Sequence, residues 1–513
     1  MTEKIKNPIF LLLLAIFGIN FYYLHNNVYC IDDLIYHFLE YPLSLFRDYH
    51  YGTWIMPFQN LLMYILPYKL GINFQDWAGT TGTTIKSLTM TGLMFCFLKT
   101  FLTEKISKNI SCYLSLFMFF LLFHLFGQNK FVDFIIMSGF FRFLIPAALL
   151  IFSLYLVFKH FLGHKTNLFL ILPVCFLTAW SSEIAAGILL INALVLLIYM
   201  ETKAKNIKEL LPYLAFLLTV LVGAFVLVSS KGFYFHLTDK LGTQAVSLSA
   251  IYGNLREFSK VFLHSLIIKY SLLWLCALFF IRYNLKKGEI KYNIFGFSVL
   301  LGVFLFGFAL IFMGKTNYDG GFWIEHKDIY SVFIPAVLYS ISTLALPFIK
   351  HNIDKKWLKK VFIALFIMSG IFFTFSGKKL YSELSAIKDY TYLRDKIRLF
   401  YLYKGETPIY PMSTHIFLAD KNISGILKQK NDSDKYFDEN FIKENSDGYS
   451  TLDKYYYPLN YRVKIEGDIT PKFLNHKDGL KTFTQNGGSY EEVLKRKYRF
   501  KDLNNKDFVL NNL

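Results

Sequence analysis

The sequence predicts an all-α polytopic membrane protein of about eleven transmembrane helices followed by a small extracytoplasmic α+β domain, and three observations carry that reading. Of 513 residues, 54% are hydrophobic and 18% charged, and the apolar residues are gathered into runs of about 16 to 22, the length that crosses a bilayer core. Many of the basic residues behind the formal charge of +18 sit in short loops between these runs, the positive-inside pattern, which makes nucleic-acid binding the weak reading. From about Gly377 the composition turns to Lys, Asp, Asn and Tyr, with turn clusters such as "KQKNDSDKYFDEN" and "QNGGSYEE".

Taken in order, "MTEKIKN" precedes "IFLLLLAIFGINFYYL", which lacks an A-x-A-like cleavage site and reads as an uncleaved first span. The basic loops "KTFLTEKISKN" (99–109), "KHFLGHKTN" (159–167), "ETKAKNIKE" (201–209), "RYNLKKGEIKYN" (282–293) and "KHNIDKKWLKK" (350–360) belong on the cytoplasmic side with the amino terminus. An even number of crossings must separate successive members of this set. Spans near 111–127 and 139–158, 168–181 and 184–200, 210–229 and 261–281, and 294–313 and 329–349 satisfy that parity as pairs.

The interval before residue 99 holds three apolar stretches rather than two. Besides the first span and the run at 79–98 there is "WIMPFQNLLMYILPYKLGI", which contains Pro57 and Pro67. Parity makes this stretch a helix lying at the outer interface, within an interface region spanning 25–78, where proline and aromatic residues are tolerated. An eleventh span near 361–376 delivers residues 377–513, about 137 in all, to the outside, enough for one small domain. Stretches such as "YYYPLNYRVKIEGDI" suggest its α+β character. Five scattered cysteines without a CxxC pair indicate neither a disulfide framework nor a zinc site.

Candidate functional residues collect on the outer side. In "VYCIDDLIYHFLE", apolar residues at 31, 34, 35 and 38 have helical spacing and put Asp32 and Asp33 in the first turn of a short amphipathic helix. Capping explains one aspartate there. A carboxylate facing an outer cavity, accepting a proton from a hydroxyl nucleophile, accounts for the second.

The acidic pair directly after the first span, together with "YCIDDLIYHFLEYPLSLFRDYHYGTW" and the proline-flanked interface helix, resembles the C-type (GT-C) glycosyltransferases. More narrowly, the opening loop, "SGFFRFLIPAALL" and "AWSSEIAAGILL" resemble bacterial relatives of the serotype-converting glucosyltransferases. The resemblance covers roughly the first 350 residues, and the domain it implies spans 1–376. It implies an integral membrane enzyme of the bacterial cytoplasmic membrane. Such an enzyme takes a sugar from a polyprenyl-phosphate donor and transfers it, on the extracytoplasmic side, to an envelope glycan or lipid acceptor. Asp33 or Asp32 would be the base. A second acidic pair in the next outer loop is common in the wider fold, and this chain offers Asp133 alone, so a divalent cation stays an open question.

Other residues carry two readings each. Glu183, in the short hairpin "AWSSEIAAG", faces a protein cavity or is a solvated hairpin acid. Arg142 holds a lipid phosphate or snorkels to headgroups. Lys86 lies in a polar stripe with Thr80, Thr84, Ser87 and Thr91, for phosphate binding or for helix–helix hydrogen bonding. Lys231 and His236, in a long outer loop, bind phosphate or serve solubility. In "GKTNYDGGFWIEHKD" (314–328), Tyr318 and Trp323 among Asp319, Glu325 and His326 suit a sugar's C–H face and hydroxyls, with interfacial anchoring as the alternative for Trp323. A lipid-linked polysaccharide polymerase or ligase would use the same donors on the same side. A flippase or transporter would instead place its polar residues near mid-membrane.

Overall fold

The computed structural model describes residues 7–24, 53–66, 70, 77–128, 140–230, 271–312 and 332–378. Among these the chain is helical throughout, without a strand. The elements are α1 (Pro8–Leu24), α2 (Ile55–Asn60), α3 (Thr83–Thr103), α4 (Lys108–Gln128), α5 (Ile145–Phe161), α6 (Leu168–Ser181), α7 (Glu183–Glu201), α8 (Ile207–Val228), α9 (Ser271–Lys287), α10 (Ile290–Phe312), α11 (Ile334–Asn352) and α12 (Lys356–Lys378). Six of the described helices are long and apolar enough to cross a membrane: α3 with the turn before it, α7, α8, α10, α11 and α12. α1, α4, α5 and α6 contribute shorter apolar segments. The C-terminal segment beyond Lys378 and the acidic helix expected at 31–38 lie outside the described residues.

Local signals set the helix ends. Asn167, Ser182 and Asn206 cap α6, α7 and α8 by accepting the N–H groups of Phe169, Ile184 and Glu209, which supplies partners to donors a helix start leaves orphaned. Pro146 and Pro335 sit in the first turns of α5 and α11, where a missing N–H costs nothing. Gly163, at φ +88°, closes α5, and the His164 N–H then reaches back to the Lys159 carbonyl at 3.1 Å.

The helices form one bundle. α3 packs against α1, α4 and α5, while α6 lies against α5 and α8. α7 joins α8 to α10, and α11 lies against α9 and α10. α11 is the enclosed helix, with 83% of its apolar window buried, whereas α12 rides the rim with 11%. Outward faces carry Phe169, Ile207 and Leu272, as expected where the surrounding solvent is hydrocarbon.

Between helices, several buried polar groups bond to one another, although the Asn192 and Asn284 Oδ1 atoms accept no hydrogen bond. The Asn284 amide of α9 donates to Asn293 Oδ1 (3.0 Å) and to the Leu344 carbonyl (2.9 Å). Ser340 Oγ donates to the Gly296 carbonyl at 2.7 Å, and the Asn192 amide to Ser298 Oγ at 2.6 Å. The fully buried Tyr339 hydroxyl pairs with Thr100 Oγ1 at 3.0 Å.

One end of the bundle is organised by Glu104, just past α3. Its side chain is only 8% exposed and meets Lys350 Nζ at 3.0 Å and His164 Nε2 at 4.0 Å, with Tyr292 of α10 facing it. Glu289 bonds His351 at 3.2 Å. Four of the basic loops read from the sequence, those at 99–109, 159–167, 282–293 and 350–360, thus meet at this end. Their cations also lie in the last turns of α5, α9 and α11, where they complement the helix dipoles.

Close approach of α6 and α8 depends on Gly223. A Cβ there would stand 2.8 Å from both the Phe176 carbonyl oxygen and the Ala179 methyl. Backbone cannot step aside, so Gly223→Val forces the two helices apart and costs about 1–3 kcal/mol. Gly92 has nothing within 4 Å of the same position, and Gly92→Ala stabilises by about 0.5–1 kcal/mol. Thermal midpoints of the two variants in detergent are expected to move in opposite directions.

Candidate functional site

At the end opposite Glu104, a short segment lies across the helix ends. α2 has six residues and continues into a π-type turn, Leu61–Ile65, of five. At 1.5 Å per residue that is about 16 Å, half of a bilayer core.

Two indoles hold the segment in place. Trp54 Nε1–H donates to the Leu177 carbonyl of α6 at 2.8 Å, and Trp77 Nε1–H donates to the Leu62 carbonyl at 3.0 Å. Phe58 packs on Phe141, ring centroids 6.4 Å apart. The segment therefore joins the end of α6, the approach to α3 and the approach to α5. Gln59 within it is fully buried, and Thr53 nearly so.

π-type turns recur here. Leu61–Ile65, Ala78–Gly82 before α3 and Phe140–Leu144 before α5 all belong to this end of the bundle. Such turns widen the backbone and concentrate at functional sites. Periodicity does not announce them, because five residues of π-helix and of α-helix have the same composition.

Lys86 stands in the first turn of α3, 1% exposed. Among the described residues it is the one charged side chain that is fully buried, and it has an interaction partner. A helical side chain leans toward its own helix's N-terminus, here the end carrying α2. Thr83 and Ser87, one turn apart on the same face, are fully buried with it. Of the remaining stripe, Thr84 and Thr91 donate to the Thr80 and Ser87 carbonyls of their own helix at 2.6 and 2.7 Å. Their hydroxyls are satisfied within α3 rather than across to another helix.

Glu183 opens α7 directly after its cap, Ser182, and is half-buried. A carboxylate there complements the positive end of the α7 dipole, and a single residue separates α7 from α6. Arg142 lies in the Phe140–Leu144 turn, with its side chain outside the described residues. Asp32, Asp33, Asp133, Lys231, His236, Tyr318, Asp319, Trp323, Glu325 and His326 also lie outside them. Among the described residues, no three His, Cys, Asp or Glu side chains group as a metal would need.

Sequence reasoning had singled out Lys86, Glu183 and Arg142. It did not single out Gln59, Trp54 or Trp77. The signal available for the tryptophans was their position on either side of a proline-bounded stretch. Compared with protein-family models, curated proteins and solved structures, the chain matches none.

Trp54→Phe keeps the ring and removes the donor to Leu177. Loss of that hydrogen bond is expected to loosen the 53–66 segment by about 0.5–1.5 kcal/mol, read as faster amide hydrogen exchange across 53–66 with exchange in α11 unchanged.

Proposed function

We propose that this protein is a GT-C-type integral membrane glycosyltransferase. It would move a sugar from a polyprenyl-phosphate donor to a cell-envelope glycan or lipid acceptor on the extracytoplasmic side of the cytoplasmic membrane. The observation that carries the proposal is Lys86, a fully buried cation in the apolar helix whose approach is joined to the α2 segment by the Trp77–Leu62 hydrogen bond. An anion at membrane depth is the ligand such an arrangement suits, and a lipid-linked phosphate is an anion delivered at that depth.

In this reading the chain crosses eleven times, by α1, α3 to α12 and no crossing of α2. The amino terminus and the Glu104 end are cytoplasmic, and residues 377–513 form the outer domain. Convergence of four basic loops on Glu104 supports that orientation. The buried polar groups between α7, α9, α10 and α11 are neutral amides and hydroxyls whose donors bond to neighbours, with the Asn192 and Asn284 Oδ1 acceptors left over, an arrangement that supports helix packing over a charged translocation path.

Each residue takes a role from the chemistry. An acceptor hydroxyl attacks the anomeric carbon, the carbon–oxygen bond to phosphate breaks, and the hydroxyl proton passes to the carboxylate of Asp33, with Asp32 as the helix cap beside it. Polyprenyl phosphate departs carrying the bonding electron pair. Lys86, Arg142 and Lys231 stabilise its charge, Glu183 and Asp133 line the site, and the 314–328 loop binds the acceptor.

Cysteine labelling checks the orientation: Ser433→Cys is expected to react with an impermeant reagent applied outside, and Ser107→Cys to be protected. The reverse pattern contradicts the whole topology. For the chemistry, Asp33→Asn keeps size and capping ability but cannot take up a proton at neutral pH. Transfer is expected to fall by about 10²-fold or more at normal protein abundance, while Asp32→Asn, nearly as good a cap, changes little. Full transfer by both single variants and by the double variant would return the pair to capping and remove the base.

A further inference from the structure

Hydroxyl side chains on α3 share one habit. Thr84, Thr89, Thr91, Thr100 and Thr103 each donate to the carbonyl four residues earlier, at 2.6 to 2.9 Å. Back-bonding of this kind satisfies a hydroxyl inside an apolar bundle without any other helix.

Ser87 departs from it. Its Oγ is fully buried and makes no hydrogen bond. A hydroxyl removed from water and given no partner loses its solvation for nothing, and the Thr83 carbonyl stands in the same relation to Ser87 as the carbonyls its neighbours use. The free donor follows Lys86 in sequence and lies one turn from Thr83 on the same face, in the half of α3 nearer the Trp77–Leu62 hydrogen bond.

We infer that Ser87 is a phosphate-binding residue, its hydroxyl donating to a non-bridging oxygen of the anion that the Lys86 ammonium attracts. The inference rests on reading this end as the polyprenyl-phosphate site, and phosphate is the chemistry recognised whether it arrives on a lipid or free. No covalent step is involved. Ser87 acts on affinity.

The test uses the full-length protein in lipid nanodiscs and equilibrium binding of two radiolabelled probes, polyprenyl phosphate and inorganic pyrophosphate. A hydrogen bond to a charged group gives an expected loss of about tenfold or more in polyprenyl-phosphate affinity for Ser87→Ala. Thr89→Ala, which removes a back-bonded hydroxyl from the same helix, is expected to bind like the parent. The ligand-free thermal midpoint of Ser87→Ala is expected to stay level or rise, because alanine removes a buried group that had no partner and is the better helix former.

Weakening of both probes assigns the site to phosphate as such, and weakening of the lipid probe alone assigns it to the carrier headgroup; either supports the inference. Unchanged polyprenyl-phosphate affinity, or a lowered ligand-free midpoint, overturns it and makes Ser87 a packing residue. Loss of affinity in a protein that transfers no sugar would leave the phosphate site standing while removing the transferase reading.

Discussion

A charge carried into hydrocarbon has to be turned inward, and Lys86 is where this chain meets that constraint. An ammonium on the lipid face of α3 would cost several kcal/mol. Held 1% exposed in the bundle, it commits the first turn of α3 to the interior and brings Thr83 and Ser87 in with it. α1 and α5 pack against α3, and Trp54 and Trp77 pin the α2 segment at the end from which α3 starts.

The two ends of the bundle handle charge differently. At the Glu104 end, acid meets base within 3.0 to 4.0 Å and the cations remain half in solvent, so the cluster ties four helix ends together and asks for no ligand. At the other end the buried cation comes with a hydroxyl that has no partner. The first arrangement pairs its charges within the protein, whereas the second leaves a buried hydroxyl unbonded, and the proposed site is placed there for that reason.

Much of this was legible from the chain and some of it could not be. Apolar run length marked the helices, and basic loops grouped the right ends, because both depend on transfer of residues between water and hydrocarbon, which composition records directly. Pro57 and Pro67, with parity, singled out the stretch in which α2 and the Leu61–Ile65 turn lie. Lys86 stood out as a rare charge in an apolar run. Glu104 did not, since in sequence it is one acid in a basic loop, and its role exists only once α5, α10 and α11 bring their ends to it. Trp54 and Trp77 were not singled out, because their N–H groups bond to carbonyls 123 and 15 residues away, a choice made by packing. Ser87 was visible as one member of a polar stripe. That its hydroxyl makes no hydrogen bond, while those of Thr84 and Thr91 back-bond to α3 carbonyls, is something no spacing encodes.

The central claim is that the enclosed outer end consumes a polyprenyl-phosphate sugar. Lipid extracts from cells lacking the protein, compared with the complemented strain by mass spectrometry, test it most directly. The account predicts accumulation of one polyprenyl-phosphate-linked sugar together with loss of that sugar from an envelope glycan or lipid, both reversed on complementation. An unchanged pool of lipid-linked sugars with an unchanged envelope would contradict it.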